Sequence, residues 1–123
     1  MNTPVSFPIA KLLKEKGFNI NEKYNNYYIA NMFYNSNGVL TECEEQSGSL
    51  SLFEGIYSAP TISDVVMWLY KEHGIWISVD PDNDPDTWFY TISHNKSETV
   101  FGNYNGPTEV YEKAIEHVLN NMI

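Results

Sequence analysis

The chain has 123 residues and a formal charge of −9, from 16 acids against 7 lysines and no arginine, with 42% of its residues hydrophobic and 15% aromatic. That length is one domain's worth of chain, and its apolar content suffices to bury a core, which excludes disorder as the main state. Arginine's planar fork is the usual grip on phosphates and guanine edges, so an arginine-free chain with a pI near 4.6 is expected to bind no nucleic acid, nucleotide or anionic lipid.

No apolar window approaches the roughly 18 residues of a membrane span, and the first six residues lack the basic-then-apolar signature of an export signal. A cytoplasmic protein with no membrane contact is therefore expected. The single cysteine, Cys43, makes neither an intramolecular disulfide nor a cysteine metal site, and Glu42 and Glu44 beside it disfavour a reactive thiolate. Four of the seven lysines lie in the first 23 residues with two acids, which leaves three lysines against fourteen acids, −11, in residues 24–123. A first helix showing its lysines to water, and an acidic surface beyond it, account for this asymmetry; an acidic face offered to a basic partner is the sharper alternative.

In chain order, residues 4–16 read as a helix: Ser6 caps it, Pro8 suits its start, Ile9, Leu12 and Leu13 recur at helical spacing, and Gly17 stops it. Over residues 19–58 the pattern changes to short aromatic runs, Tyr27-Tyr28-Ile29 and Met32-Phe33-Tyr34, followed by Asn37-Gly38, which signals a hairpin. Residues 41–51 are acidic and poor in large apolar side chains, the pattern of a mobile loop. Residues 59–74 form the clearest helix, with Thr61 as N-cap, Asp64 answering the first-turn amides, a stripe of Ile62, Val65, Val66 and Leu69, and Gly74 just past the end. Met67 and Trp68 widen that stripe, so this helix is expected to be central. Ile75, Ile77 and Val79 then alternate with Trp76, Ser78 and Asp80, and Trp88, Tyr90 and Ile92 with Thr87, Phe89 and Thr91. Two strands joined by residues 81–86 make an antiparallel hairpin, a further strand is expected over 98–101, and residues 102–106 turn the chain. Pro107-Thr108 then repeats the Pro-Thr cap of residues 60 and 61 and opens a last helix whose apolar stripe is Val110, Tyr111, Ala114, Ile115, Val118, Leu119 and Met122. The expectation is a single α+β domain over 1–123, divided into a helix plus aromatic hairpin region (1–58) and a helix–strands–helix region (59–123). Its antiparallel sheet would have about four to six strands, with three helices mainly on one face.

The stretches PVSFPIAKLLKEKGF, SAPTISDVVMWLYKEHGIWISV and GPTEVYEKAIEHVLNNMI resemble a group of small proteins of gut bacteria and of their phages and mobile elements. The resemblance spans all three helices and leaves out residues 19–58. It implies a setting among phage or mobile-element accessory genes, and transfers no activity, cofactor or site residue.

Asp80, Asp82, Asp84 and Asp86 place carboxylates at alternate positions, as at the start of a calcium loop, yet Pro85 and Thr91 stand where an EF-hand needs glycine and a bidentate glutamate. An acidic hairpin tip is the simpler reading, with a weak cation site as the alternative. His73, His94 and His117 have no metal-ligand spacing, and His73 and His117 near helix C-termini suit the helix dipole. Glu109, Glu112 and Glu116 read as a solvated helix face. No nucleophile elbow, phosphate loop or cysteine–histidine signature is present, so no catalytic, cofactor or metal residue is assigned. In Trp88-Phe89-Tyr90 adjacent rings point to opposite sheet faces, which makes Trp76, Trp88 and Tyr90 candidates for an interaction surface. The resulting expectation is a non-enzymatic accessory module that binds an unidentified protein through exposed aromatics or acidic loops. The alternative is an enzyme or small-ligand binder with a site of dispersed Tyr, His and Asp residues.

Overall fold

A proline in the first turn and apolar residues at helical spacing make Phe7–Glu15 the first helix, α1, in a computed structural model that describes residues 3–18, 32–42, 55–83 and 87–123. Ile9, Ala10 and Leu13 form its buried stripe. Ser6 stands at the N-cap as expected, so the helix begins at Phe7 and not at residue 4, and the preceding residues have partners in an extended conformation. Pro4 forms an antiparallel bridge with Thr61, the Val5 N–H donates to the Pro60 carbonyl at 2.9 Å, and the Ile62 N–H donates to the Thr3 carbonyl at 2.9 Å. The chain divides into two compact units, Met1–Asp64 and Val65–Ile123.

In the first unit, β1 (Met32–Tyr34), β2 (Leu40–Glu42) and β3 (Tyr57–Ser58) form an antiparallel sheet in the order β2-β1-β3. The expected hairpin is present, with Asn37-Gly38 at its turn. The Gly38 N–H donates to the Asn35 carbonyl at 2.9 Å, the Asn35 N–H to the Val39 carbonyl at 3.1 Å, and Gly38 takes φ +79°. Those bonds define a three-residue loop closed by a left-handed residue. Asn35 reinforces it through Oδ1, which accepts the Asn37 and Val39 N–H groups at 2.9 and 3.1 Å. Gly38 is required for space as well, since a Cβ there would lie 2.9 Å from Phe7 Cδ2.

The Phe7 ring anchors α1 to this sheet, 5.3 Å from the Tyr34 ring and 5.6 Å from the Tyr57 ring, and the Tyr34 hydroxyl donates to the buried Val5 carbonyl at 2.6 Å. The lysines of α1 do more than meet water. Lys14 Nζ donates to the Ile56 carbonyl at 2.8 Å and stands 5.1 Å from the Tyr57 ring centre, while Lys11 Nζ stands 5.3 Å from that of Phe7.

Helix α2 (Ile62–His73) opens as expected: Thr61 Oγ1 accepts the Asp64 N–H and Asp64 Oδ2 accepts the Thr61 N–H, both at 3.2 Å. Burial raises the Asp64 pKa above the usual carboxylate value, against the two bonds to Thr61 that lower it. At the other end Gly74 takes φ +65°, its N–H donating to the Tyr70 carbonyl at 3.0 Å and that of Ile75 to the Leu69 carbonyl at 3.2 Å.

In the second unit, β4 (Trp76–Pro81), β5 (Trp88–His94) and β6 (Ser97–Tyr104) form an antiparallel meander in that order. The third strand is longer than the expected 98–101. It continues through 102–104 across a register shift between Trp88 and Tyr90, so residues expected to turn the chain pair with β5 instead. The last helix, α3 (Pro107–Asn121), has Gly106 rather than Thr108 at its N-cap, because Pro107 occupies the first turn with no N–H to satisfy and Glu109 Oε2 accepts the Asn105 N–H at 3.3 Å. Helix α3 packs across β4, β5 and β6.

The α+β class holds, but the strands do not form one sheet of four to six. The six strands among the described residues make two three-stranded antiparallel sheets, separated in sequence by α2. Tyr27-Tyr28-Ile29, Cys43 with the rest of the expected loop through 51, and Asp84 and Asp86 lie outside the described residues. Among the described residues, no helix is long and apolar enough to cross a membrane.

Ile62, Val65, Val66, Trp68 and Leu69 are all buried, Leu69 completely. Leu69→Ala is expected to cost about 2–5 kcal/mol in a urea denaturation experiment. A loss below about 0.5 kcal/mol, the size of a neutral surface change, would place the residue at the surface.

Candidate functional site

Strand alternation divides the chemistry of the β4-β5-β6 sheet between two faces. The register aligns Ile77, Ile92 and Thr99 in one row, and Val79, Tyr90 and Phe101 in the next but one. With Ile77, Tyr90 and Ile92 buried, these rows belong to the face that α3 covers. The opposite face carries the rows Trp76–Ser93–Glu98 and Ser78–Thr91–Val100, then Asp80 beside Phe89.

Under α3 the aromatics are stacked. Tyr90 lies 4.8 Å from Phe101 and 5.8 Å from Tyr104, and Phe101 meets the His117 imidazole at 4.8 Å. Only 3% of Tyr90 is exposed, so this residue offers no surface to a partner, and Trp88, on the same side and paired with Tyr104, is half-buried. Desolvation raises the Tyr90 pKa well above that of an ordinary phenol, reinforced by the charge and hydrogen bond of Tyr104 and by the charge of Glu116.

On the opposite face Trp76 is 41% exposed and Val100 62%, and Tyr70 at the end of α2, 53% exposed, meets Trp76 edge-on at 5.4 Å. Asp80 and Glu98 are exposed on the same face. Of the three aromatic candidates, Trp76 is thus the one presented to solvent, and Tyr70 and Val100 join it. Val100 was legible in the strand alternation, whereas Tyr70 reads as part of an apolar helix until Gly74 and Ile75 fix how that helix ends.

The structure also joins two of the three histidines. A pocket of about 230 Å³ is lined by Ile92, His94, Asn95, Ser97, Thr99, His117 and Met122. His94 ends β5 on the same parity as Tyr90 and Ile92, which points it to the α3 side. His117 borders the buried Val118. Asn95 and Lys96, with φ 51° and 67°, make the two-residue left-handed turn that returns the chain to Ser97. His73 is elsewhere, edge-on to Trp68 at 5.0 Å. Asp80 and Asp82 are exposed, and the Asp82 carboxylate accepts the N–H of the next residue, Asn83, at 2.7 Å. Among the described residues, no three His, Cys, Asp or Glu side chains gather as metal ligands.

The raised Tyr90 value belongs to the folded state, so its contribution to stability is complete below the ordinary phenol value of about 10 and is lost as pH rises beyond it toward the raised value. In a spectrophotometric titration, Tyr90→Phe is expected to leave the tyrosinate absorbance developed near pH 10 unchanged. Loss of one tyrosine's amplitude there would contradict the burial. Comparison of the chain with protein-family models, curated proteins and solved structures finds no match.

Proposed function

We propose that this protein is a non-enzymatic interaction module that binds a basic protein segment on the face of the β4-β5-β6 sheet opposite α3. The observation that carries this reading is the exposure of Trp76 and Val100 on this sheet face and of Tyr70 beside Trp76, with Asp80 and Glu98 exposed on the same face and Phe89 half-buried there. An indole edge-supported by Tyr70 offers a π-surface to a lysine or arginine, and the carboxylates supply the counter-charge. Ser78, Thr91 and Ser93 between them can accept or donate hydrogen bonds at the same surface. The chain's charge of −9 favours the approach of such a partner and gives the encounter a salt dependence. The resemblance of its helical stretches to proteins of gut bacteria and their phages supports a cytoplasmic accessory role encoded by a phage or mobile element.

Affinity capture from a bacterial lysate, followed by calorimetry on the captured protein, tests this. Trp76→Ser should weaken binding about tenfold or more, as loss of an interface hot spot does, and added salt should weaken it further. A partner that binds Trp76→Ser as tightly as the unaltered protein, with no response to salt, would overturn the reading.

A further inference from the structure

We infer that the pocket between the β5–β6 turn and the C-terminal half of α3 is a binding site for a small, uncharged, polyhydroxylated molecule such as a hexose or a polyol. This site is separate from the open sheet face and stands or falls independently of it. Its lining comes from β5, the turn, β6, α3 and the residue after α3, so the fold rather than one local motif brings the groups together.

The donor and acceptor inventory selects the ligand. His94, Asn95, Ser97, Thr99 and His117 supply two imidazoles, an amide and two hydroxyls. Every one of these can donate one hydrogen bond and accept another when neutral, which is also the property of a sugar hydroxyl. No lysine, aspartate or glutamate side chain lines the pocket. A charged ligand would therefore give up water without an opposite charge to meet it, whereas an uncharged polar ligand exchanges like for like. Of the two apolar residues in the lining, Ile92 is buried, so the half-buried Met122 supplies the apolar surface against which the C–H face of a ring can lie. The volume of about 230 Å³ leaves room for one such ring.

One wall is held in place before any ligand arrives. The Asn121 amide donates to the His117 carbonyl at 3.0 Å and faces His117 Nδ1 at 3.5 Å, while Phe101 packs on the imidazole at 4.8 Å. A side chain fixed in this way loses little freedom on binding.

The test is a ¹H–¹⁵N NMR titration of the intact protein with D-glucose, D-galactose, myo-inositol and glycerol, and separately with sodium acetate and zinc chloride. The expected result is a saturable shift with at least one of the four polyhydroxylated probes, confined to the amides of residues 92–99 and 117–122, with millimolar affinity. Ser97→Ala combined with Thr99→Ala, at two exposed positions that leave the fold intact, should weaken it about tenfold. Trp76→Ser should leave it unchanged, which separates this site from the sheet face. No saturable shift with any of the four, a response only to acetate or to zinc, or shifts centred on Trp76 and Val100 would each overturn the assignment.

Discussion

The packing of α3 on one side of the β4-β5-β6 sheet is the contact on which both proposed surfaces of the second unit depend. Val110, Ala114, Ile115, Val118 and Leu119 are wholly buried along one stripe of the helix, and Ile77, Tyr90 and Ile92 are buried on the sheet. Each large aliphatic side chain so placed contributes about 1.5–3 kcal/mol relative to exposure. Because side chains alternate along a strand, burying these residues assigns their neighbours to the other side without further choice. Trp76, Thr91 and Val100 face away from α3 because Ile77, Ile92 and Phe101 face it. A slip of one residue would put the exposed set under the helix and the apolar set in water, so the register is strongly specified. At the end of the same packed layer, where the strands turn and α3 runs out, the polar pocket forms from whatever the two elements leave uncovered.

In the first unit the strands among the described residues are two or three residues long, and α1 adds apolar surface to them through the Phe7–Tyr34–Tyr57 ring cluster. Gly38 is the residue on which this depends most locally: a left-handed φ closes the hairpin, and the missing Cβ admits the Phe7 ring. The buried bond from Tyr34 to the Val5 carbonyl and the bond from Lys14 to the Ile56 carbonyl then satisfy polar groups at the edges of the cluster.

Much of the fold is legible in the sequence where local chemistry decides it. Thr61 with Asp64, Gly74, the Asn37-Gly38 turn and the alternation in β4 and β5 act over a few residues, and each element appears where those signals put it. The departures come from longer-range partners in two cases and from a neighbouring proline in the third. Pro4 pairs with Thr61 instead of starting α1, β6 runs on through Gly102 because β5 accepts it across a register shift, and Gly106 takes the N-cap because Pro107 already occupies the first turn. Division into two sheets is likewise invisible to periodicity, which reports strands and not which strands pair. For the candidate sites the parity rule separates Trp76 from Tyr90. It also places His94 on the helix side, but nothing local in sequence brings His94 to His117, because 22 intervening residues have to return through β6 and α3 first.

Hydroxyl-radical footprinting read by mass spectrometry measures the division of the sheet's two faces directly. Trp76 and Tyr70, both exposed, are expected to label strongly, and Tyr90 and the α3 residues Ile115 and Leu119 to be protected. Strong labelling of Tyr90 with protection of Trp76 would contradict this division, since the sheet would then be turned over beneath α3 and neither proposed surface would exist.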